Sequence, residues 1–121
     1  MAKILIVEDD KFLRELIMQK VSKEGYEVVG AVDGEEGMKM AKTEQPGLIL
    51  LDLILPTVDG FDVLRQLKEE ASTKNIPVII LSNLGQKEDV EKGKQLGAED
   101  YIVKAHFTPA EIVEKIKSVM K

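Results

Sequence analysis

Three carboxylates, a hydroxyl and an ammonium carry the chemistry that this sequence is equipped to perform. They belong to Glu8, Asp9, Asp52, Ser82 and Lys104, each of which follows an apolar run. Carboxylates brought close together raise one another's pKa values unless a cation joins them, and a hard divalent ion supplies that charge. Mg²⁺ prefers oxygen ligands and is usually held by one or two carboxylates together with a phosphate oxygen. The set therefore predicts a site for Mg²⁺ and a phosphoryl group.

Asp52 is the residue whose setting most needs an explanation. It lies between Leu48–Leu51 and Leu53–Leu55, and a carboxylate buried there without a partner would lose stability or take up a proton. We expect Asp52 at the carboxyl end of a strand, compensated by a cation and by Lys104. There it can act as a nucleophile that forms an aspartyl phosphate. Lys104 would neutralise one phosphoryl oxygen, and the Ser82 hydroxyl would donate a hydrogen bond to another.

The elements that must position these residues alternate between strand and helix. Five apolar runs are typical of strands, namely Lys3–Val7, Tyr26–Val32, Leu48–Leu51, Val78–Leu81 and Tyr101–Val103. Apolar residues recur at helical spacing after each run. Strands that are apolar throughout indicate a parallel sheet covered on both faces by right-handed crossovers. Five such units suit an open sheet, because an eight-unit barrel needs about twice the length.

Capping residues indicate where several helices begin and end. Asp10 is a candidate N-cap for the first helix, and Asp33 with Glu36 has the pattern of a capping box at the second. Thr108 with Glu111 has the same pattern at the last helix. These signals support the alternation of strands and helices.

The predicted fold class is α/β, a single doubly wound five-stranded parallel sheet of flavodoxin-like type, with strand order 2-1-3-4-5. One domain is expected over residues 1–121. In this order, the strands that precede Glu8 and Asp52 are neighbours at the switch point, where ligands bind outside the carboxyl ends. Ser82 and Lys104 follow the next two strands. The order thus brings all five polar side chains to one edge of the sheet.

Composition narrows the classes of function. The formal net charge of −5 and the pI near 5.0 disfavour direct binding to nucleic acid or to an anionic membrane. The absence of cysteine excludes disulfides and thiolate metal sites, and His106 alone cannot supply a usual zinc site. The opening MAKILIVEDD is unlike a signal peptide, and no later run is long enough to span a bilayer. A cytoplasmic location is therefore expected.

Four motifs, in their order and spacing, resemble those of response-regulator receiver domains of two-component systems. They are IVEDD after the first strand, LLDLILPTVDG around Asp52, LS at Leu81-Ser82, and GAEDYIVK from Gly97 to Lys104. No single motif is specific, since acid pairs and Asp-Gly turns are common. The resemblance covers essentially the whole chain, and its specificity comes from the four motifs together.

The resemblance implies a role for each site residue. Mg²⁺ would be held by Glu8, Asp9, Asp52 and the backbone carbonyl of Ile54. Asp52 would accept phosphate from a sensor histidine kinase, with Lys104 as the phosphate-pairing lysine. Ser82 and Tyr101 would be the switch hydroxyl and the switch aromatic residue. The implied function is a phosphorylation-dependent switch that changes its surface for a downstream protein or an attached output domain, with no catalysis beyond its own phosphoryl transfer and slow dephosphorylation.

Two positions depart from the receiver pattern. Ala105 follows Lys104, where members of this family usually carry a proline in a cis peptide. A cis bond before a residue other than proline costs about 2.5–4 kcal/mol, so we predict a trans Lys104–Ala105 peptide. Asn83 stands where the family usually has a small residue, and it is expected to narrow access to Asp52.

Two branched apolar residues are expected to affect how long a phosphorylated state lasts. Ile54 lies two residues beyond Asp52, and Leu84 lies two beyond Ser82. Neither side chain can hold the water that hydrolysis requires behind the phosphorus. Slow self-dephosphorylation is therefore expected.

Three other functions are compatible with parts of the pattern. A phosphatase of the haloacid-dehalogenase type also uses an aspartyl nucleophile, but Asp52-Leu53-Ile54 lacks the second aspartate of its D-x-D motif. A flavin- or nucleotide-binding domain is disfavoured because no glycine-rich loop follows the first strand. The intact acidic set argues against an interaction module that works without phosphorylation. Tyr101 also suits an ordinary half-buried strand position, and His106 is expected to be a loop residue.

Overall fold

The apolar runs form five parallel strands in the computed structural model, which describes residues 2–120. The strands are β1 (Lys3–Val7), β2 (Glu27–Ala31), β3 (Leu48–Leu51), β4 (Val78–Ser82) and β5 (Asp100–Val103). Their order across the sheet is β2-β1-β3-β4-β5, and every neighbouring pair is parallel. The predicted fold class and strand order are confirmed.

Within residues 2–120, five α-helices cover the two faces of the sheet. They are α1 (Lys11–Lys23), α2 (Gly34–Glu44), α3 (Gly60–Glu69), α4 (Lys87–Gln95) and α5 (Pro109–Met120). Helices α1 and α5 bury apolar residues on one face, and α2 and α3 bury theirs on the other, where apolar residues of α4 also pack. Alternate strand residues belong to the two cores, as the twofold periodicity of a strand requires. Because both faces are covered, the strands are apolar throughout.

Three strand boundaries differ from the prediction, because pairing with the neighbouring strand sets where each strand begins and ends. Strand β4 extends to Ser82, which pairs with Val103 of β5, so Ser82 is the last strand residue and does not follow the strand. Strand β5 begins one residue early, at Asp100, opposite Ile79. Strand β2 is shorter at both ends, because its pairing with β1 runs only from Glu27 to Ala31.

The predicted capping residues begin their helices. An Asp10 carboxylate oxygen accepts a hydrogen bond from the N–H of Leu13 at 3.2 Å. Asp33 accepts from the N–H of Glu36, although the Glu36 carboxylate returns to the N–H of Val32 and not to that of Asp33. At α5 the capping box is reciprocal: the Thr108 hydroxyl accepts from the N–H of Glu111, and the Glu111 carboxylate accepts from the N–H of Thr108.

A turn of 3₁₀ helix, Lys104–His106, follows β5 and was not foreseen in the sequence. The Lys104–Ala105 peptide within it is trans, as predicted. Among the described residues, no helix has the length and apolar character that crossing a membrane requires.

Gly60, the first residue of α3, permits the chain after Asp52 to fold back closely on itself. Its N–H donates to the carbonyl of Leu53 at 2.9 Å. A Cβ atom at position 60 would lie 2.3 Å from the Leu53 Cα and 2.7 Å from the Asp52 carbonyl oxygen. Since these atoms belong to the backbone, no side-chain movement can make room. This close approach therefore helps to place the segment that carries Asp52.

We expect Gly60→Ala to destabilise the protein by about 2 kcal/mol or more, because overpacking against backbone forces the β3–α3 connection apart. Urea unfolding is the measurement. Gly47→Ala is the matched control: its Cβ would meet chiefly the flexible end of Met120, at 3.1 Å. A loss for Gly60→Ala no larger than that of Gly47→Ala would contradict the close-approach argument.

Candidate functional site

The polar residues that end the strands line an open depression at the carboxyl edge of the sheet. Its volume is about 300 Å³, and it is lined by Glu8, Asp9, Asp10, Asp52, Ile54, Asn83 and Lys104. The lining residues come from the ends of β1, β3, β4 and β5, because the strand order makes these ends neighbours. This is the edge at which ligands bind in open α/β sheets.

Three carboxylates meet in this depression. One oxygen each from Glu8, Asp9 and Asp52 lies within 4.8 Å of the other two. Glu8 is only 1% exposed and Asp52 only 4%, whereas Asp9 is exposed to solvent. Two nearly buried acids and one accessible acid form an all-oxygen donor set of the kind that hard divalent cations prefer.

The Lys104 ammonium lies between the two buried carboxylates. Its Nζ is 2.8 Å from Asp52 Oδ2, to which it donates a hydrogen bond, and 2.7 Å from Glu8 Oε1. Burial lowers the pKa of Lys104, but the hydrogen bond to Asp52 and the ion pair with Glu8 outweigh burial and raise it overall. Lys104 is therefore a fixed positive charge at this edge. The trans peptide after it does not prevent the side chain from reaching Asp52.

Glu8 is the acid whose charge is least well compensated. Burial raises the pKa of its carboxyl to about 7, although Lys104 and the N–H of Asp10 oppose the shift. Oε2 accepts a hydrogen bond from that N–H at 3.0 Å. Oε1 is buried and forms an ion pair with the Lys104 ammonium at 2.7 Å, but it accepts no hydrogen bond. A buried carboxylate oxygen left in this state fits a role as a cation ligand.

The Asp52 carboxylate is held on both of its oxygens. Oδ2 accepts from Lys104, and Oδ1 accepts from the N–H of Ile54 at 3.2 Å. The Asp52 N–H donates to the Val7 carbonyl at 3.0 Å, which ties the end of β3 to the end of β1. The Ile54 side chain borders the depression and is 56% exposed. Asp52 thus presents a fixed carboxylate at the floor of an open site.

Ser82 and Tyr101 lie beside the depression but do not line it. The Ser82 hydroxyl is fully buried, and its oxygen accepts a hydrogen bond from the N–H of Leu84 at 3.3 Å. The Tyr101 hydroxyl donates to the carbonyl of the same residue, Leu84. Burial raises the pKa of Tyr101 to about 12, with further contributions from the charges of Asp89 and Asp52. Both side chains are therefore bonded to one residue of the β4–α4 connection.

The remaining predicted residues are divided between the site and its surroundings. Asn83 lines the depression, and its narrowing of access to Asp52 stays a prediction. Leu84 packs against the core that α2 and α3 cover, so the structure does not bring its side chain into the depression. His106 is exposed in the 3₁₀ turn.

Two residues with a part in the site were not identified from the sequence. The N–H of Asp10 holds Glu8, and the Arg14 guanidinium donates to the carbonyl oxygen of Glu8 at 2.8 Å. The signal for Arg14 is its spacing: it lies four residues beyond Asp10, one helical turn into α1. Its side chain can therefore return to the turn that precedes the helix.

Fold and site together define a doubly wound α/β domain with an acidic, cation-ready site at its switch point. Comparison with known proteins narrows this class. The response regulator receiver domain family matches residues 4–117. The DNA-binding dual master transcriptional regulator RpaA of Synechocystis is 40% identical over 121 residues, which are 100% of this chain and 50% of that protein. This chain spans about half the length of the curated relatives it matches.

Solved receiver structures superpose on this chain over nearly its full length. The Francisella response regulator 1452 receiver domain has a TM-score of 0.91 and 30% identity, with 99% of this chain and 97% of that chain covered. The Mn²⁺-bound form of response regulator Rcp1 has a TM-score of 0.81 and 32% identity, with 98% and 93% covered. The chain belongs to the response regulator receiver domain family, whose members act as phosphorylation-dependent switches in two-component signalling. The resemblance inferred from the motifs is confirmed.

The raised pKa of Glu8 predicts a pH dependence of folding stability without metal. A carboxyl whose pKa rises from 4.5 to about 7 on folding binds more protons in the folded state, so its contribution is lost as pH rises through that window. Relative to Glu8→Gln, the parent should therefore lose stability on the order of 3 kcal/mol between about pH 4.5 and pH 8. Urea unfolding in a metal chelator measures this difference.

Glu15→Gln controls for the loss of one negative charge, because Glu15 is an exposed residue of α1. We expect the difference between the parent and Glu8→Gln to vary more with pH than the difference between the parent and Glu15→Gln. If the two differences vary equally, the Glu8 carboxyl does not titrate in this window.

Proposed function

We propose that this chain accepts a phosphoryl group on Asp52 from a sensor histidine kinase, in a reaction that requires Mg²⁺, and then changes its surface for a downstream partner. The observation that carries the proposal is the position of the Lys104 ammonium, within 2.8 Å of both Glu8 and Asp52 at the edge of an open depression. The site already binds one cationic group with two carboxylates. It has room beside them for a phosphoryl group.

Asp52 is the residue best placed to be the nucleophile. Its carboxylate borders the depression, whereas the Ser82 hydroxyl is buried beside it and His106 lies on the exposed 3₁₀ turn. A carboxylate oxygen forms a bond to phosphorus as the bond from phosphorus to the donor nitrogen breaks, and the electron pair of that bond stays on the donor's imidazole. The other carboxylate oxygen keeps its hydrogen bond to the N–H of Ile54 or to Lys104, which holds Asp52 in position for attack.

The donor set supports Mg²⁺ as the ion. Glu8, Asp9 and Asp52 would hold it, together with the backbone carbonyl of Ile54 that the family pattern implies. When bound, the ion would offset the negative charge of the carboxylates and of the phosphoryl oxygens. That Rcp1 has been solved with Mn²⁺ bound supports a divalent ion in this family.

Lys104 and Ser82 would receive the phosphoryl oxygens. The ammonium that now pairs with Asp52 can pair with a phosphoryl oxygen on the same residue, because its long side chain allows a small displacement. The Ser82 hydroxyl would turn toward another oxygen and give up its bond with the N–H of Leu84. Tyr101 donates to the carbonyl of Leu84, so a movement of that residue reaches the switch aromatic.

The downstream partner would be a separate protein or an attached output domain. Relatives that this chain matches are named as transcriptional regulators, and they are about twice as long as the segment it matches. The net charge of −5 supports protein contacts over direct DNA contact by this domain. We further propose that residues 1–121 form one receiver domain that works in the cytoplasm.

Incubation with Mg²⁺ and acetyl phosphate should phosphorylate the parent, and Asp52→Asn should abolish the modification because the amide is not a nucleophile. Intact mass measurement detects the product, and fragmentation locates it. Omission of Mg²⁺ should suppress the reaction in the parent.

Asp62→Asn is the matched control for that experiment, because Asp62 is an exposed residue of α3 that pairs with Arg65. It should be phosphorylated as the parent is. A phosphoryl group found on Ser82 or His106 would contradict the assignment of Asp52.

Phosphorylated protein should lose its phosphate roughly tenfold faster in Ile54→Asn than in the parent, because an amide beside the phosphorus can orient the attacking water. Decay after removal of the donor is the measurement. Ile54→Val keeps an apolar side chain and should decay like the parent. Leu84 offers no clean test because it packs against the core. Equal decay in all three proteins would show that Ile54 does not limit access of water.

A further inference from the structure

The Arg14 side chain connects α1 to the turn that carries the first two carboxylates. Its Nη1 donates to the carbonyl oxygen of Glu8 at 2.8 Å and lies 3.5 Å from the carbonyl oxygen of Asp9. A hydrogen bond from a charged donor is stronger than one between neutral groups. One guanidinium thus contacts the backbone of both acidic residues without contacting their carboxylates in these bonds.

Strand β2 leaves the space through which the Arg14 side chain passes. A Cβ atom at Gly30 would lie 3.3 Å from Arg14 Cδ and 2.8 Å from Met18 Sδ. Gly30 is a regular strand residue that pairs with Ile6, and its φ is not positive, so its backbone does not require glycine. What the missing side chain provides is room for the neighbouring side chains of α1. The space at Gly30 therefore accommodates Met18 most closely, with Arg14 beside it.

The turn that Arg14 contacts is otherwise held from two sides. The Glu8 N–H donates to the Ala31 carbonyl at 3.0 Å, and the Asp10 N–H donates to the Glu8 carboxylate at 3.0 Å. These bonds hold the Glu8 amide and side chain. The Arg14 guanidinium holds the carbonyl side of the same turn, which is the part that leads into exposed Asp9.

We propose that Arg14 is a positioning residue for the metal site: it holds the Glu8–Asp9 turn so that both carboxylates face Asp52. This inference rests on the proposed metal-dependent function. Groups that orient metal ligands typically change metal affinity by about 10- to 100-fold when removed. Arg14 acts through the backbone of its neighbours and is not itself a ligand.

Electrostatics and positioning predict opposite results for removal of Arg14. Loss of a positive charge near three carboxylates should by itself strengthen the binding of a divalent cation. Loss of a positioning contact should weaken it, because the ligands are then no longer prearranged. The sign of the change in affinity therefore discriminates between the two.

Calorimetric titration of the full chain with Mg²⁺, and separately with Mn²⁺, is the test. We expect Arg14→Met to weaken binding about tenfold. Arg14→Lys retains a donor and should recover part of the affinity. Arg65→Met is the matched control: Arg65 pairs with Asp62 and Glu69 on the surface of α3, and its loss should leave the affinity unchanged.

Thermal unfolding without metal accompanies each titration. If Arg14 has only a structural role, Arg14→Met should unfold at a lower temperature than the parent with little change in its dissociation constant for the metal. That result would overturn the proposal. If Arg14→Met does not fold, Arg14→Gln, which is too short to reach the two carbonyls, takes its place with the same expectation.

Asp9→Asn tests the metal site separately from the role of Arg14, because it removes a candidate ligand. Weaker binding in Asp9→Asn but unchanged or tighter binding in Arg14→Met would overturn the role of Arg14 alone. Unchanged binding in Asp9→Asn would overturn the metal site together with the role of Arg14.

Discussion

The pairing of one ammonium with two nearly buried carboxylates is the interaction on which the arrangement of this site depends. Glu8, Asp52 and Lys104 are far apart in the sequence, and each follows a different strand of one sheet. Without Lys104, two negative charges would be buried side by side, and one of them would take up a proton. The parallel sheet makes the pairing possible, because its carboxyl ends lie along a single edge.

One ammonium does not fully compensate two carboxylates. A buried ion pair loses much of its attraction to desolvation, and it stabilises the fold only when its remaining hydrogen bonds are made. Here Glu8 Oε1 has no hydrogen-bond partner, and burial holds the pKa of Glu8 near 7. Replacement of a buried ion pair by apolar residues of similar volume is often neutral or stabilising. The unpaired oxygen therefore has a local cost in stability, as is common where stability and function compete.

The sequence predicted the sheet well because two simple rules apply to it. Runs buried on both faces are apolar throughout, and residues that follow neighbouring strands meet at one edge. These rules sufficed to predict that Glu8, Asp9, Asp52 and Lys104 lie together, as they do.

The features that were not predicted depend on side-chain directions and backbone conformations in the folded protein. Ser82 extends the β4 ladder and is buried, because Val103 lies opposite it. Gln45 adopts a left-handed conformation at the end of α2, with φ of 46°, although glycine is the usual residue there. The contact of Arg14 with the Glu8 carbonyl is consistent with a spacing of one helical turn, but the space beside the Arg14 side chain at Gly30 lies on another strand. Spacing along the chain cannot reveal neighbours that come from a distant element.

Two hydrogen bonds of the Leu84 backbone connect the side chains of Ser82 and Tyr101. The N–H of this residue donates to Ser82, and its carbonyl accepts from Tyr101, so one peptide segment joins the two side chains. The Tyr101 ring lies close to α4, since a Cβ at Gly93 would be 3.2 Å from the ring. Within α4, Gly93 is the one buried residue, whereas α3 buries five residues. The Ser82 hydroxyl, the Leu84 backbone and the Tyr101 ring therefore form one connected path from the neighbourhood of Asp52 to α4. Under the proposed phosphorylation of Asp52, a change in the Ser82 hydrogen bond would be transmitted through Leu84 and Tyr101 to the face formed by α4 and β5.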